Sequence, residues 1–84
     1  MNKRKLLKKV LASPKNIPFG DMVTLIEAFG FRLARVSGSH HICEHPDVLE
    51  TVNIQTRKGK AKPYQVRQFL ELVEQYNLGL GEDQ

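Results

Sequence analysis

The sequence predicts a small α+β domain, with helices packed on one face of a three-stranded antiparallel sheet and an extra helix at the N-terminus. Three observations carry this. Apolar residues recur at spacings of three and four near both ends of the chain. Between those stretches lie three short segments that alternate or run apolar, separated by turn residues. The chain has 84 residues, 40% of them hydrophobic and 26% charged, which suits one domain with one modest core. We read residues 1–18 as an N-terminal helical extension, 19–79 as the domain and 80–84 as a flexible tail.

Residues 3–12, KRKLLKKVLA, place Leu6, Leu7, Val10 and Leu11 on one side of a helix. Ser13-Pro14-Lys15-Asn16 stops it, and the segment reads as an appendage to the compact domain. Residues 19–29 form a second helix through Phe19, Met22, Val23, Leu25, Ile26 and Phe29. Gly20 or Asp21 suits its N-cap, and Gly30 its left-handed stop.

Residues 31–37, FRLARVS, alternate imperfectly: Phe31, Leu33 and Arg35 oppose Arg32, Ala34 and Val36. Ser37-Gly38-Ser39 makes a turn, residues 40–44 a second strand, and His45-Pro46-Asp47 its end. Residues 51–55 alternate cleanly as a third strand. Residues 57–62 read as a basic loop. The closing helix opens at Pro63, which the first helical position tolerates, and carries Val66, Phe69, Leu70, Val73 and Tyr76 on one side. Gly79 and Gly81 end it. Phe69 is core; Tyr64 and Tyr76 are expected to pack at the core or rim rather than stack on bases.

No apolar run approaches the ~18 residues of a membrane span. The basic start has only short apolar runs, broken by Lys8-Lys9, and makes a poor signal peptide. One cysteine forms no internal disulfide, which fits a reducing, cytoplasmic setting. No motif implies a cofactor. The net charge is +4 but unevenly spread. Lys3, Arg4, Lys5, Lys8 and Lys9 form one cluster; Arg57, Lys58, Lys60 and Lys62 form another, with Arg67 beyond. Clustered cations attract a polyanion such as nucleic acid.

All three histidines and the single cysteine fall in Gly38-Ser39-His40-His41-Ile42-Cys43-Glu44-His45. Alternation points His40 and Ile42 one way and His41, Cys43 and His45 the other. Either Ile42 or Cys43 must face the core. His41 and His45 stand about 13 Å apart along a strand, too far to share one zinc with bonds of about 2 Å. No metal site is therefore expected. A histidine titrating near neutrality, beside a glycine turn and cations, suits metal-free RNA cleavage through the 2′-hydroxyl. On spacing alone, ordinary half-buried strand histidines are the stronger reading.

The run Gly30-Phe31-Arg32-Leu33-Ala34-Arg35-Val36-Ser37-Gly38-Ser39-His40-His41-Ile42 resembles the core of the HicA toxins. His45-Pro46, Thr51-Val52-Asn53-Ile54 and Gly59-Lys60-Ala61-Lys62-Pro63 come after it in the same order as in that family of messenger-RNA interferases. The resemblance covers about residues 20–78. It implies a double-stranded-RNA-binding-domain-like α-β-β-β-α fold and a catalytic histidine at His40, with His41 the second candidate. It implies RNA contacts from Gly38 and Ser39, and our reading adds Arg57, Lys58, Lys60 and Lys62. It implies messenger RNA as substrate and a HicB-type antitoxin as partner. A non-catalytic RNA-binding module and an antitoxin-binding domain are the alternatives on the same fold. Two departures stand out: the 1–18 extension, and Cys43 where an aromatic is common, which predicts looser packing beneath that strand.

Overall fold

The computed structural model describes residues 2–80, so Gly81 and the tail beyond Leu80 lie outside the described residues. The chain runs α1 (Lys3–Ala12), α2 (Phe19–Ala28), β1 (Arg32–Ser37), β2 (His40–His45), β3 (Val48–Arg57), β4 (Lys60–Ala61) and α3 (Pro63–Gln75). The strands form one antiparallel sheet in the order β1-β2-β3-β4. No helix among the described residues is long and apolar enough to cross a membrane.

The first helix does not stand apart from the domain. Asn2 caps it, its side-chain oxygen accepting from the Arg4 and Lys5 N–H groups at 2.8 and 3.3 Å. Leu6 and Val10 are fully buried, and Ile17 joins them in the cluster that holds Ile26, Ile54 and Phe69. Leu11, one helical position off that stripe, is 60% exposed rather than inside.

The second helix is capped at Pro18, so Gly20 and Asp21 fall in its first turn rather than at its N-cap. Met22, Leu25, Ile26 and Ala28 are buried along it. The helix stops at Gly30, whose φ of +96° is open to glycine and strained for other residues. A Cβ there would also stand 3.0 Å from His45 Nε2.

The sheet has four strands where the sequence predicts three. The expected basic loop is a hairpin: Arg57 pairs with Lys60 and Thr56 with Ala61 around a Lys58-Gly59 turn. Alternation explains the extra strand, since Ala61 is buried while Lys60 points to solvent. The chain entering α2 ties it down. The Ala61 N–H donates to the Ile17 carbonyl at 2.9 Å, and the Phe19 N–H to the Gly59 carbonyl at 3.0 Å. The third strand also starts earlier than expected, at Val48, which is buried opposite His45.

Register settles the faces. Cys43, not Ile42, lies on the core side, with Val52 its partner on β3. Cys43 is 4% exposed, so the chain closes around the smaller side chain. The imperfect alternation of β1 is a bulge: Leu33 pairs with Cys43 and Arg35 with Ile42, leaving Ala34 extra. Phe69 of α3 sits between Phe29 and Phe31, with both ring centroids at 5.6 Å in edge-to-face contact. All three helices contribute buried residues to this one core, and the other sheet face stays open.

Candidate functional site

His40 opens β2 directly after the Gly38-Ser39 turn. Gly38 takes φ +60° with no atom near the place of a Cβ, so the turn asks for its conformation rather than its small size. His40 pairs with Ser37 on β1 and Gln55 on β3. Directly paired residues share a face, so His40 stands on the open side with Ile42 and Asn53. Its Nδ1 lies 3.1 Å from Asn53 Oδ1. In the Nδ1–H tautomer the ring donates to this amide oxygen and keeps its acceptor lone pair on Nε2. In that tautomer Nε2 is free to accept a proton.

The other two histidines have different surroundings. His41 faces the helices, its ring centroid 4.8 Å from that of Phe19 and its Nδ1 3.3 Å from the Ser39 carbonyl. His45 lies against Phe31 at 5.1 Å, and its Nδ1 accepts the Asp47 N–H at 3.0 Å. That bond fixes the ring over Gly30, where it fills the space a side chain would need. Cys43 is enclosed beneath the same strand; burial, and then the nearby Glu27 charge, raise its thiol above the ordinary range.

The bulge at Ala34 matters for charge. It turns both Arg32, opposite Glu44, and Arg35, opposite Ile42, onto the face that carries His40. Arg35 is two residues from Ser37, the direct partner of His40, and so is its diagonal neighbour within reach of a long side chain. At the same end of the sheet, Arg57, Lys58, Lys60 and Lys62 line an open groove of about 680 Å³. Lys15, Asn16, Ala61, Pro63 and Tyr64 complete its walls.

Residues 19–74, more than half of the chain, match the family described as HicA toxin of bacterial toxin–antitoxin. The chain belongs to the HicA toxin family. No curated protein and no solved structure matches it. The HicA match begins at the first residue of α2 and ends in the last turn of α3. It takes in the whole sheet, while α1 and Ile17 lie before it.

Within this HicA-family chain, sequence reasoning named His40 and the basic cluster but missed Asn53, Arg35 and Gln65. Asn53 was visible only as a polar residue on an alternating strand; its role depends on which residue of β2 it meets. Gln65 is buried on the first turn of α3, where its Oε1 accepts the Gln55 N–H at 2.7 Å and its Nε2 donates to Gln55 Oε1 at 3.1 Å. The two-residue β4 leaves the Gln55 backbone uncovered, and this side chain stands in for the next strand residue.

Proposed function

We propose that this HicA-family protein is a metal-independent endoribonuclease that cuts messenger RNA, and that His40 is its general base. The observation that carries the reading is the His40–Asn53 contact on the open face, which leaves Nε2 to accept a proton. Nε2 takes the proton of a ribose 2′-hydroxyl. The freed oxygen bonds to the adjacent phosphorus, and the bond from phosphorus to the 5′-oxygen breaks. The leaving oxygen takes a proton from water and the imidazolium returns its own to the resulting hydroxide, so the products are a cyclic phosphate and a 5′-hydroxyl. Charge gathers on the phosphate oxygens during this step, and Arg35 is the cation best placed by register to meet it. Gly38 and Ser39 present the histidine and offer backbone groups to the RNA. Arg57, Lys58, Lys60 and Lys62 hold phosphates without reading sequence.

The order α2-β1-β2-β3-α3 supports a double-stranded-RNA-binding-domain-like fold, with β4 a short addition. Residues 1–18 are proposed as an extension that docks on that domain, and the setting as cytoplasmic. A HicB-type antitoxin is the proposed partner, covering the open face and so blocking His40. His41 is the second candidate base; its place against Phe19 on the helix side favours His40.

The test compares RNA cleavage and growth arrest for wild type and His40→Ala, with EDTA in the cleavage buffer. Wild type is expected to cleave in EDTA and the variant to fail. Equal cleavage by both proteins removes His40 from the mechanism, and loss of wild-type activity in EDTA removes the metal-free step.

A further inference from the structure

The groove beside the β3–β4 hairpin has a composition that the reaction at His40 does not explain. Five cations converge on it: Lys15 from the segment after α1, Arg57, Lys58 and Lys60 from the hairpin, and Lys62 at the cap of α3. No acidic residue lines it, and none of the five is ion-paired among the described residues. Like charges gathered this way repel, so the groove gains from a polyanion and the fold gains nothing from the gathering. The first turn of α3 opens into it without a side-chain cap, adding the positive end of a 13-residue helix.

Tyr64 gives the groove its second character. Its side chain is half exposed, at 51%, which puts it at the rim rather than in the core. Its hydroxyl lies 3.4 Å from Gln65 Nε2, and the residue lines the groove. Cations that track a phosphate chain, with an aromatic ring among them, make a platform for single-stranded nucleic acid. A duplex keeps its bases stacked inside and gains nothing from such a ring. Gln65 also bonds Gln55, the cross-strand partner of His40, so the groove and the histidine lie at one end of the sheet.

We infer that this groove binds the RNA as a single strand next to the cleavage site, with Tyr64 stacked on an unpaired base and Lys15 holding a phosphate. The inference rests on the RNA reading above, but not on cleavage. It also gives the segment before the family-matched region a role in substrate binding.

Binding is measured by fluorescence anisotropy on the full chain, using a labelled 2′-O-methylated single-stranded RNA and the same strand in a duplex. That probe has no free 2′-hydroxyl, so it reports binding whether or not His40 is the base. Tyr64→Ala is expected to weaken single-strand binding about tenfold, within the range for one base stacked on an aromatic ring, and Tyr64→Phe to bind like wild type. Lys15→Ala is expected to reduce the slope of log affinity against log salt by about 0.7. Unchanged single-strand affinity in Tyr64→Ala overturns the inference, as does duplex binding as tight as single-strand binding. Loss of antitoxin binding in Tyr64→Ala with RNA binding intact also overturns it, and gives the groove to the protein partner. Wild-type cleavage of unmodified RNA, assayed in parallel, decides the ribonuclease reading separately.

Discussion

His40 on β2 and Asn53 on β3 are diagonal neighbours on the open face, with Nδ1 3.1 Å from Oδ1. A neutral imidazole has one donor and one acceptor nitrogen, and the partner of one fixes the role of the other. Asn53 is therefore a positioning residue for His40 in the proposed reaction.

Asn53→Ala is expected to lower the cleavage rate by about 10- to 100-fold, the usual cost of losing a group that orients a functional histidine. Folding should change little, because Asn53 is exposed. Asn53→Asp puts a negative charge beside the ring, favours imidazolium and moves the acid limb of the pH–rate profile upward. A wild-type cleavage rate in Asn53→Ala together with an unchanged pH profile in Asn53→Asp removes Asn53 from the mechanism.

The bulge at Ala34 makes a sharper comparison possible. Arg35 is the diagonal neighbour of His40, whereas Arg32 lies a further step along β1 opposite Glu44. Arg35→Ala should cost about 10²-fold in single-turnover cleavage, as expected for one donor at a site of developing charge. Arg32→Ala should cost far less. Equal losses would mean that both arginines act only through general attraction of RNA.

Gly30 and His45 form a testable steric pair. Gly30→Ala meets two penalties: the left-handed φ of +96° and the His45 ring at 3.0 Å. Denaturant unfolding should show a loss of about 2–3 kcal/mol. In the background of His45→Ala the same substitution should cost less, because only the backbone penalty remains. A cycle with no coupling would show that the ring moves aside freely.

Leu6 tests whether the first helix belongs to the core. It is 1% exposed, so Leu6→Ala should destabilise the whole domain by about 2–5 kcal/mol. Leu11→Ala, five residues along and mostly exposed, should stay within about 0.5 kcal/mol of wild type. Equal small effects would show that α1 docks without holding the fold.

Cys43 gives a pH dependence. Burial, aided by Glu27, raises its thiol above the ordinary value, so the folded state favours the protonated form. Linkage sets the sign. The stabilisation is full below the ordinary thiol pKa of 9.0 and is lost as pH rises through the raised value. A thiol reagent at pH 8 should react slowly with the native protein and quickly once denaturant unfolds it. Fast native labelling would show that the strand opens locally.

Much of the fold was legible because its signals are local. The first helix has the expected bounds, residues 3–12, since its breaker comes directly after it in Ser13-Pro14. The closing helix starts at Pro63 and buries Val66 and Phe69 as its spacing predicts. The hairpin at residues 57–61 was not legible: a two-residue strand has no period, and it exists because Ile17 and Phe19 bond to it from far along the chain.

By itself the sequence determined the α+β class, the buried faces of the second and third helices and the family, because periodicity, turn residues and an ordered motif are properties of neighbours along the chain. It also placed His40 at a glycine turn. Only the tertiary structure decided which side of β2 faces the core. Alternation leaves that choice open, and the burial of Cys43 opposite Val52 settles it. The structure alone turned Arg35 onto the face of His40, since one bulged residue reverses every side chain beyond it. It alone brought Asn53 to the ring, because that contact spans thirteen residues and depends on strand register.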